Sequence, residues 1–180
     1  LAIRATHRGQ YSQADQLITE AGQLAIDLNQ CVSTQPMLMG AGYVQDGLKE
    51  YVEASFVYAF LTGGALPTPK QLNVDCTTYL NGLAEAASEL RRAILDRLRG
   101  GAGGEQVEQV KQVESLLTIM DDVYSVLITV DYPEALTSGL RRTTDALRAV
   151  LERTRGDVTN AIRQERLSAA LAELEGRLKR

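Results

Sequence analysis

Tryptophan is absent from this 180-residue sequence, and histidine occurs once, as His7. Within the chain this excludes zinc sites built on paired histidines and di-iron bundles built on Glu-x-x-His motifs. A histidine-based catalytic triad would have only His7 to draw on. The two cysteines, Cys31 and Cys76, are too few for a disulfide scaffold and too far apart for a CxxC metal site. They read as buried structural thiols of a reducing compartment, so a cytoplasmic location is expected. No apolar run approaches the ~20 residues needed to span a bilayer, and no membrane partner is expected. No signal peptide is visible, although the sequence begins at Leu1 rather than Met. No stretch alternates with period two, and there are only four prolines.

The charge balance is acidic, −4 overall with pI near 5.1. A protein that coats nucleic acid with its outer surface is normally basic. Either nucleic acid is not the ligand, or contact is confined to a local basic patch or an enclosed surface. At 180 residues, 44% of them hydrophobic, the chain is long enough to bury one proper core. A single domain over residues 1–180 is expected. The tilt towards Ala, Leu, Glu, Arg and Gln favours helix.

Residues 1–8 read as the end of a helix, with Gly9 as its stop. Residues 11–32 form a second helix, with Ala14, Leu17, Ile18, Ala21, Leu24, Ala25 and Leu28 on one stripe. Residues 33–36 interrupt it. A third helix runs from about 42 to 62, carrying Val44, Leu48, Val52 and Ser55 along one side. It carries no charge between 54 and 61, so that segment is expected to be buried all round. Gly63 and Gly64 end it. Thr68 and Pro69 then open a short helix as N-cap and first residue. The next long helix spans 75–98, with Leu83, Ala87, Leu90 and Ile94 inward and Gly82, Glu85, Glu89 and Arg92 roughly opposite. The glycine-rich run at 100–104 reads as a loop. It lacks a following Lys-Ser/Thr and a preceding strand, which sets a phosphate-binding P-loop aside. A helix over 105–130 follows, with Val107, Val110, Val113, Leu117, Met120 and Val123 inward. Another covers 133–155 with Leu136, Leu140, Leu147 and Leu151. Gly156 and Asp157 punctuate it before a last polar helix bearing Leu167, Leu171, Leu174 and Leu178. The expected fold is all-α, a bundle of about six or seven antiparallel helices.

Two carboxylate pairs stand out, Glu50 with Glu53 and Glu85 with Glu89. Spacings of three and four put each pair on one side of its helix. If the helices face each other, four carboxylates converge, an arrangement suited to Mg²⁺ or Mn²⁺, which favour oxygen ligands. The competing reading is solvated surface: Glu53 in an ordinary pair with Lys49, and Glu85 and Glu89 repelling by only about 0.2–0.5 kcal/mol. Arg91 and Arg92 are either solvated or placed to attract an anion beside the acids.

Four blocks together resemble the translin family, and within it translin-associated factor X (TRAX) and its prokaryotic relatives. They are Ile3-Arg-Ala-Thr-His7-Arg8-Gly9, Glu50-Tyr-Val-Glu53-Ala, Tyr79-Leu-x-Gly82-Leu-Ala-Glu85-x-x-x-Glu89-Leu, and the stretch from Tyr132 through Arg141 to Gly156. The resemblance implies an all-α bundle assembling into a closed hollow homo-oligomer, commonly an octamer. It also implies binding of single-stranded RNA, or single-stranded DNA, and in the factor-X branch a metal-dependent endoribonuclease. Carried over, the catalytic and metal-binding carboxylates are Glu50, Glu53, Glu85 and Glu89, with Mg²⁺ or Mn²⁺ as cofactor. The translin branch replaces several of these, whereas this chain keeps all four acidic. Glu85 stands where the eukaryotic factor-X pattern has Asp, a longer reach by one methylene. Arg8, Lys49, Arg91 and Arg92 are the candidate phosphate contacts, and His7 reads as a packing or RNA-contact residue. A non-catalytic, translin-like binding oligomer is the alternative. An enclosed chamber with a locally basic interior would reconcile RNA with an acidic exterior.

Overall fold

A computed structural model describes residues 1–100 and 106–178, and among these there is helix but no strand. The glycine run from 101 to 104, the expected helix start at 105 and the Val107 side chain lie outside the described residues. Helix α1 (Ala2–His7) stops as expected at Gly9, whose φ of +72° is the left-handed conformation glycine adopts freely. Helix α2 spans Tyr11–Val32, and a single turn, α3 (Pro36–Met39), fills part of the break that follows. Helix α4 covers Gly42–Thr62 and ends on left-handed Gly63. Thr68 caps the short α5 (Pro69–Leu72): its hydroxyl accepts from the Gln71 amide, while the Gln71 side chain accepts from the Thr68 amide.

The long helix α6 runs from Cys76 to Gly100, and Asp75 receives the Thr78 amide at its start. Helix α7 covers Gln106–Leu127, α8 is one turn at Glu134–Thr137, and α9 extends over Leu140–Leu178. The expected division at Gly156 is therefore wrong. The chain breaks instead at Ser138 and Gly139, both at positive φ, and then stays helical for 39 residues. A helical glycine costs only about 1 kcal/mol, and tertiary ties hold α9 on both sides of it. Arg91 donates to Thr154 at 3.1 Å and to Asp157 at 2.8 Å, while Arg155 reaches Asp121 at 2.8 Å.

Helix α6 is central, packed against α4 on one flank and against α7 and α9 on others, with α1 and α2 joining at α4. The main core joins Ala84, Leu90 and Ile94 of α6 to Met120 of α7 and Leu147 and Leu151 of α9. A second cluster centres on Phe56, its ring edge-on to Tyr79 at 5.1 Å. The stripe of Val44, Leu48, Val52 and Ser55 is buried as expected. In the uncharged segment of α4, Phe56 and Val57 are fully buried, whereas Tyr58, Phe60 and Leu61 are only half-buried. Leu24, Leu136 and the α9 leucines Leu167, Leu171, Leu174 and Leu178 are exposed, with nothing among the described residues covering them. Cys31 and Cys76 are free and exposed, contrary to the buried expectation. Cys76 opens α6, where the helix has not yet entered the core. Among the described residues no helix is long and apolar enough to cross a membrane.

Candidate functional site

The site is created by a close helix crossing. Gly82 of α6 is buried against α4, so near that an added Cβ would lie 2.6 Å from Val52 Cγ1 and 3.1 Å from the Lys49 carbonyl oxygen. Gly82 was expected on the outer face of its helix, and the structure reverses this. Because α4 and α6 touch there, the residues flanking the contact, Lys49 and Glu53 on one helix and Glu85 and Glu89 on the other, come together.

The four predicted carboxylates share one electrostatic environment. Burial pushes the Glu53 carboxyl up to about 7, and the charges of Glu85, Glu89 and Glu50 add to that shift while Lys49 opposes it. Like charges this close make ionisation of Glu53 costly. Glu50 stands at the exposed rim; Glu53, Glu85 and Glu89 are half-buried. The ion pair expected between Lys49 and Glu53 forms elsewhere: Lys49 Nζ is 2.9 Å from Glu85 Oε1 and 3.5 Å from Asp46 Oδ1. Burial disfavours the Lys49 charge, but the hydrogen bond and charge of Glu85, with help from Asp46, outweigh it and raise the pKa.

His7 enters from α1. Its side chain is only 2% exposed, and Nε2 lies 2.9 Å from Glu89 Oε1. That contact is close but poorly aligned, leaving Nε2 without a well-formed hydrogen bond. His7 beside it holds the Glu89 carboxyl below its ordinary value despite burial, with Arg92 contributing from 3.8 Å. The sequence signal for this neighbour was slight: one histidine, near a helix end, far along the chain from the acids.

The remaining basic candidates separate. Arg91 donates to Asp157 and Thr154 and stitches α6 to α9. Arg92 is more than half exposed and lies between Glu89 and Asp96. Arg8 is exposed at the end of α1.

Among the described residues, no three acidic, histidine or cysteine side chains converge on one ligation point. The donor chemistry nonetheless fits a hard divalent cation: carboxylate oxygens, mutual repulsion expressed at Glu53, and a buried imidazole nitrogen poorly satisfied beside Glu89. Glu85 and Glu89 are aimed at Lys49 and His7, so ligation requires both to turn.

A polar cleft of about 540 Å³ adjoins the cluster, sharing Lys49 and Glu85 with it and extending to Ser138, Arg142 and Thr143. Its floor is fixed by Asn81, which sequence reasoning missed as a structural residue. The buried Asn81 amide donates to the Thr77 and Thr137 carbonyls, and its oxygen accepts from Thr143 at 2.9 Å. One side chain thus ties α6 to both sides of the α8–α9 turn.

The C3PO crystal structure from Archaeoglobus superposes with a TM-score of 0.77 and 29% identity, covering 89% of this chain and 80% of that one. The chain has the translin-like fold of these C3PO structures. The same Archaeoglobus C3PO in complex with duplex RNA superposes at a TM-score of 0.71, again 29% identical, covering 89% of this chain and 79% of that one. Apo C3PO from Nematostella, at 24% identity and a TM-score of 0.75, covers 89% and 80% respectively and matches the translin-like fold. An uncharacterized protein of Methanocaldococcus jannaschii is 30% identical over 135 residues, 74% of this chain. The translin-like chain spans 57% of that relative's length. No protein-family model matches it.

Proposed function

We propose that this translin-like chain is a metal-dependent endoribonuclease acting on single-stranded or short structured RNA inside a homo-oligomeric shell, commonly an octamer, in the cytoplasm. The observation that carries the reading is the meeting of Glu53, Glu85 and Glu89 at the α4–α6 crossing, where burial, with added repulsion from Glu85, Glu89 and Glu50, raises the Glu53 carboxyl to about 7. Such a concentration of acid in a half-buried place is unfavourable for the fold alone and useful to a cation. The RNA complex of the Archaeoglobus relative supports RNA as the class of ligand. Exposed apolar side chains such as Met37, Tyr43, Tyr132 and Leu178 support self-association of a single translin-like domain.

Glu50, Glu53, Glu85 and Glu89 would hold Mg²⁺ or Mn²⁺. When bound, such an ion supplies a water of lowered pKa and Lewis acidity towards a phosphodiester oxygen. To act as a ligand, Glu53, half-buried on α4, would have to be ionised. Glu85 would have to turn from Lys49, leaving the ammonium beside the cluster as a phosphate partner. Glu89 would have to turn from His7, whose packing behind it limits its rotamers. Arg92 and Arg8, both exposed, are the further candidates for phosphate contact.

The pairing of Glu85 to Lys49, with no ready-made three-ligand group among the described residues, favours the second reading: a translin-like oligomer that binds single-stranded nucleic acid without cutting it. Incubating a labelled single-stranded RNA with the purified protein in Mg²⁺ and in EDTA separates the two. The nuclease reading expects fragments in Mg²⁺ alone. Intact RNA held equally well in both buffers would replace it with the binding module.

A further inference from the structure

We propose that the polar cleft beside the carboxylates seats the stretch of RNA backbone flanking the cleavage position, with Arg142 holding a neighbouring phosphate. This rests on the RNA-directed reading of the carboxylate cluster and adds a subsite to it.

The cleft shares Glu85 and Lys49 with the cluster, so whatever fills it is continuous with a group bound at the acids. Its α6 wall runs from Thr77 to Ser88, roughly 16 Å at 1.5 Å per residue. That is a groove for a strand rather than a pit for one small molecule. Lys49, paired with Glu85 and Asp46 of the same lining, stands near one end, and Arg142, on the first turn of α9, supplies at the other a cation unpaired among the described residues.

Arg142 makes no hydrogen bond or ion pair among the described residues, in contrast with Arg91, Arg92, Arg141 and Arg155. Its guanidinium lies over Gly139, 3.3 Å from where a Cβ would stand, and the left-handed φ of +85° at that glycine keeps the space open. Glu134 approaches the same glycine from 3.8 Å without reaching ion-pair distance of Arg142. The guanidinium thus lines the cleft, with the Glu134 carboxylate near the same turn but not paired to it. The positive end of the α9 dipole lies at the same place.

The lining also fits sugar and phosphate better than bases. It contains no aromatic ring on which a base could stack. Ser88 donates its hydroxyl proton to the Ala84 carbonyl and Thr77 donates to that of Leu136, so each offers only lone pairs to an occupant. Ribose hydroxyls are donors that can use them. Asn81 keeps the far wall in place by clasping the α8–α9 turn.

The test is fluorescence-anisotropy binding of a labelled single-stranded RNA by the full chain, in EDTA and across a series of salt concentrations. Wild type is compared with Arg142→Gln, Arg142→Lys and Arg148→Gln, the last on the same helix but outside the cleft. The expected result is a roughly five- to tenfold loss of affinity in Arg142→Gln, with a salt slope shallower by about 0.7–1. Arg142→Lys recovers most of the loss, Arg148→Gln shows none, and thermal melts of all four coincide. An unchanged affinity in Arg142→Gln, or an equal loss in Arg148→Gln, overturns the proposal. Wild type that binds RNA but leaves it uncut in Mg²⁺ defeats the nuclease reading alone, whereas wild type without RNA affinity defeats both.

Discussion

Lys49 Nζ stands 2.9 Å from Glu85 Oε1, an ion pair that bridges α4 and α6 beside the point where Gly82 meets Val52. The pair exists because a residue without a side chain lets two helices approach within backbone contact. The ammonium partly neutralises the acidic cluster at Glu85, as Arg92 does at Glu89. On the proposed function it stands where a divalent cation would bind, and it makes the crossing itself testable.

Gly82→Ala should disturb both fold and site. The new methyl would stand 2.6 Å from a β-branched side chain and 3.1 Å from a backbone oxygen, so the helices must part. Overpacking of this kind costs about 1–3 kcal/mol. Thermal unfolding should report a lowered Tm. RNA cleavage should fall by more than the unfolded fraction explains, because the carboxylates separate with the helices.

Glu53 sets a pH dependence of stability. Its folded pKa of about 7 lies above the ordinary 4.5, so between those values the folded state binds more protons than the unfolded chain. In metal-free buffer, this contribution makes the protein most stable towards the acidic end of the window, and stability falls as pH rises through 7. Glu53→Gln should match wild type near pH 5 and exceed it at pH 8. The difference should be about 1–2 kcal/mol once the partial exposure of the carboxyl is allowed for. Urea unfolding at the two pH values measures it; a variant equally destabilised at both would show that the carboxyl is not held under repulsion.

Arg91 should behave as a structural residue. Arg91→Gln removes the tie to Asp157 and Thr154, and with Asp157 partly exposed the cost should be about 0.5–1 kcal/mol. Its RNA affinity, measured below its Tm, should equal that of wild type. A clear loss of affinity in a stably folded Arg91→Gln would return this residue to the phosphate contacts.

Most of the helical frame was legible because apolar spacing carries it. The stripe of Val44, Leu48, Val52 and Ser55, the stop at Gly9 and the Thr68 cap all follow from local rules, and all occur in the structure. Glycine was the weak point. Gly156 carries the same local signal as a helix stop, yet Arg91 and Arg155 bind α9 on either side of it and the helix continues. Gly82 has no side chain to count in a stripe, and only the partner helix reveals that it faces inward. The carboxylate pairs were visible in the spacing, but the cross-helix partners were not. Lys49 pairs with Glu85 rather than Glu53, and His7 meets Glu89 from 82 positions away in the chain. Such contacts depend on which helices are neighbours. The cleft is hidden for the same reason: Asn81 and Thr143 are ordinary polar residues until the α8–α9 turn folds over α6.

Single-turnover cleavage of a labelled single-stranded RNA by wild type and by Glu53→Gln, in saturating Mg²⁺ and with RNA affinity measured alongside, tests the central claim most directly. Losing a carboxylate that holds the cation should lower the rate by at least about a hundredfold while binding persists. EDTA should bring wild type down to the same level. Cutting that continues at the wild-type rate in Glu53→Gln, or that ignores EDTA, would place the chemistry elsewhere and leave the four carboxylates without the role assigned to them.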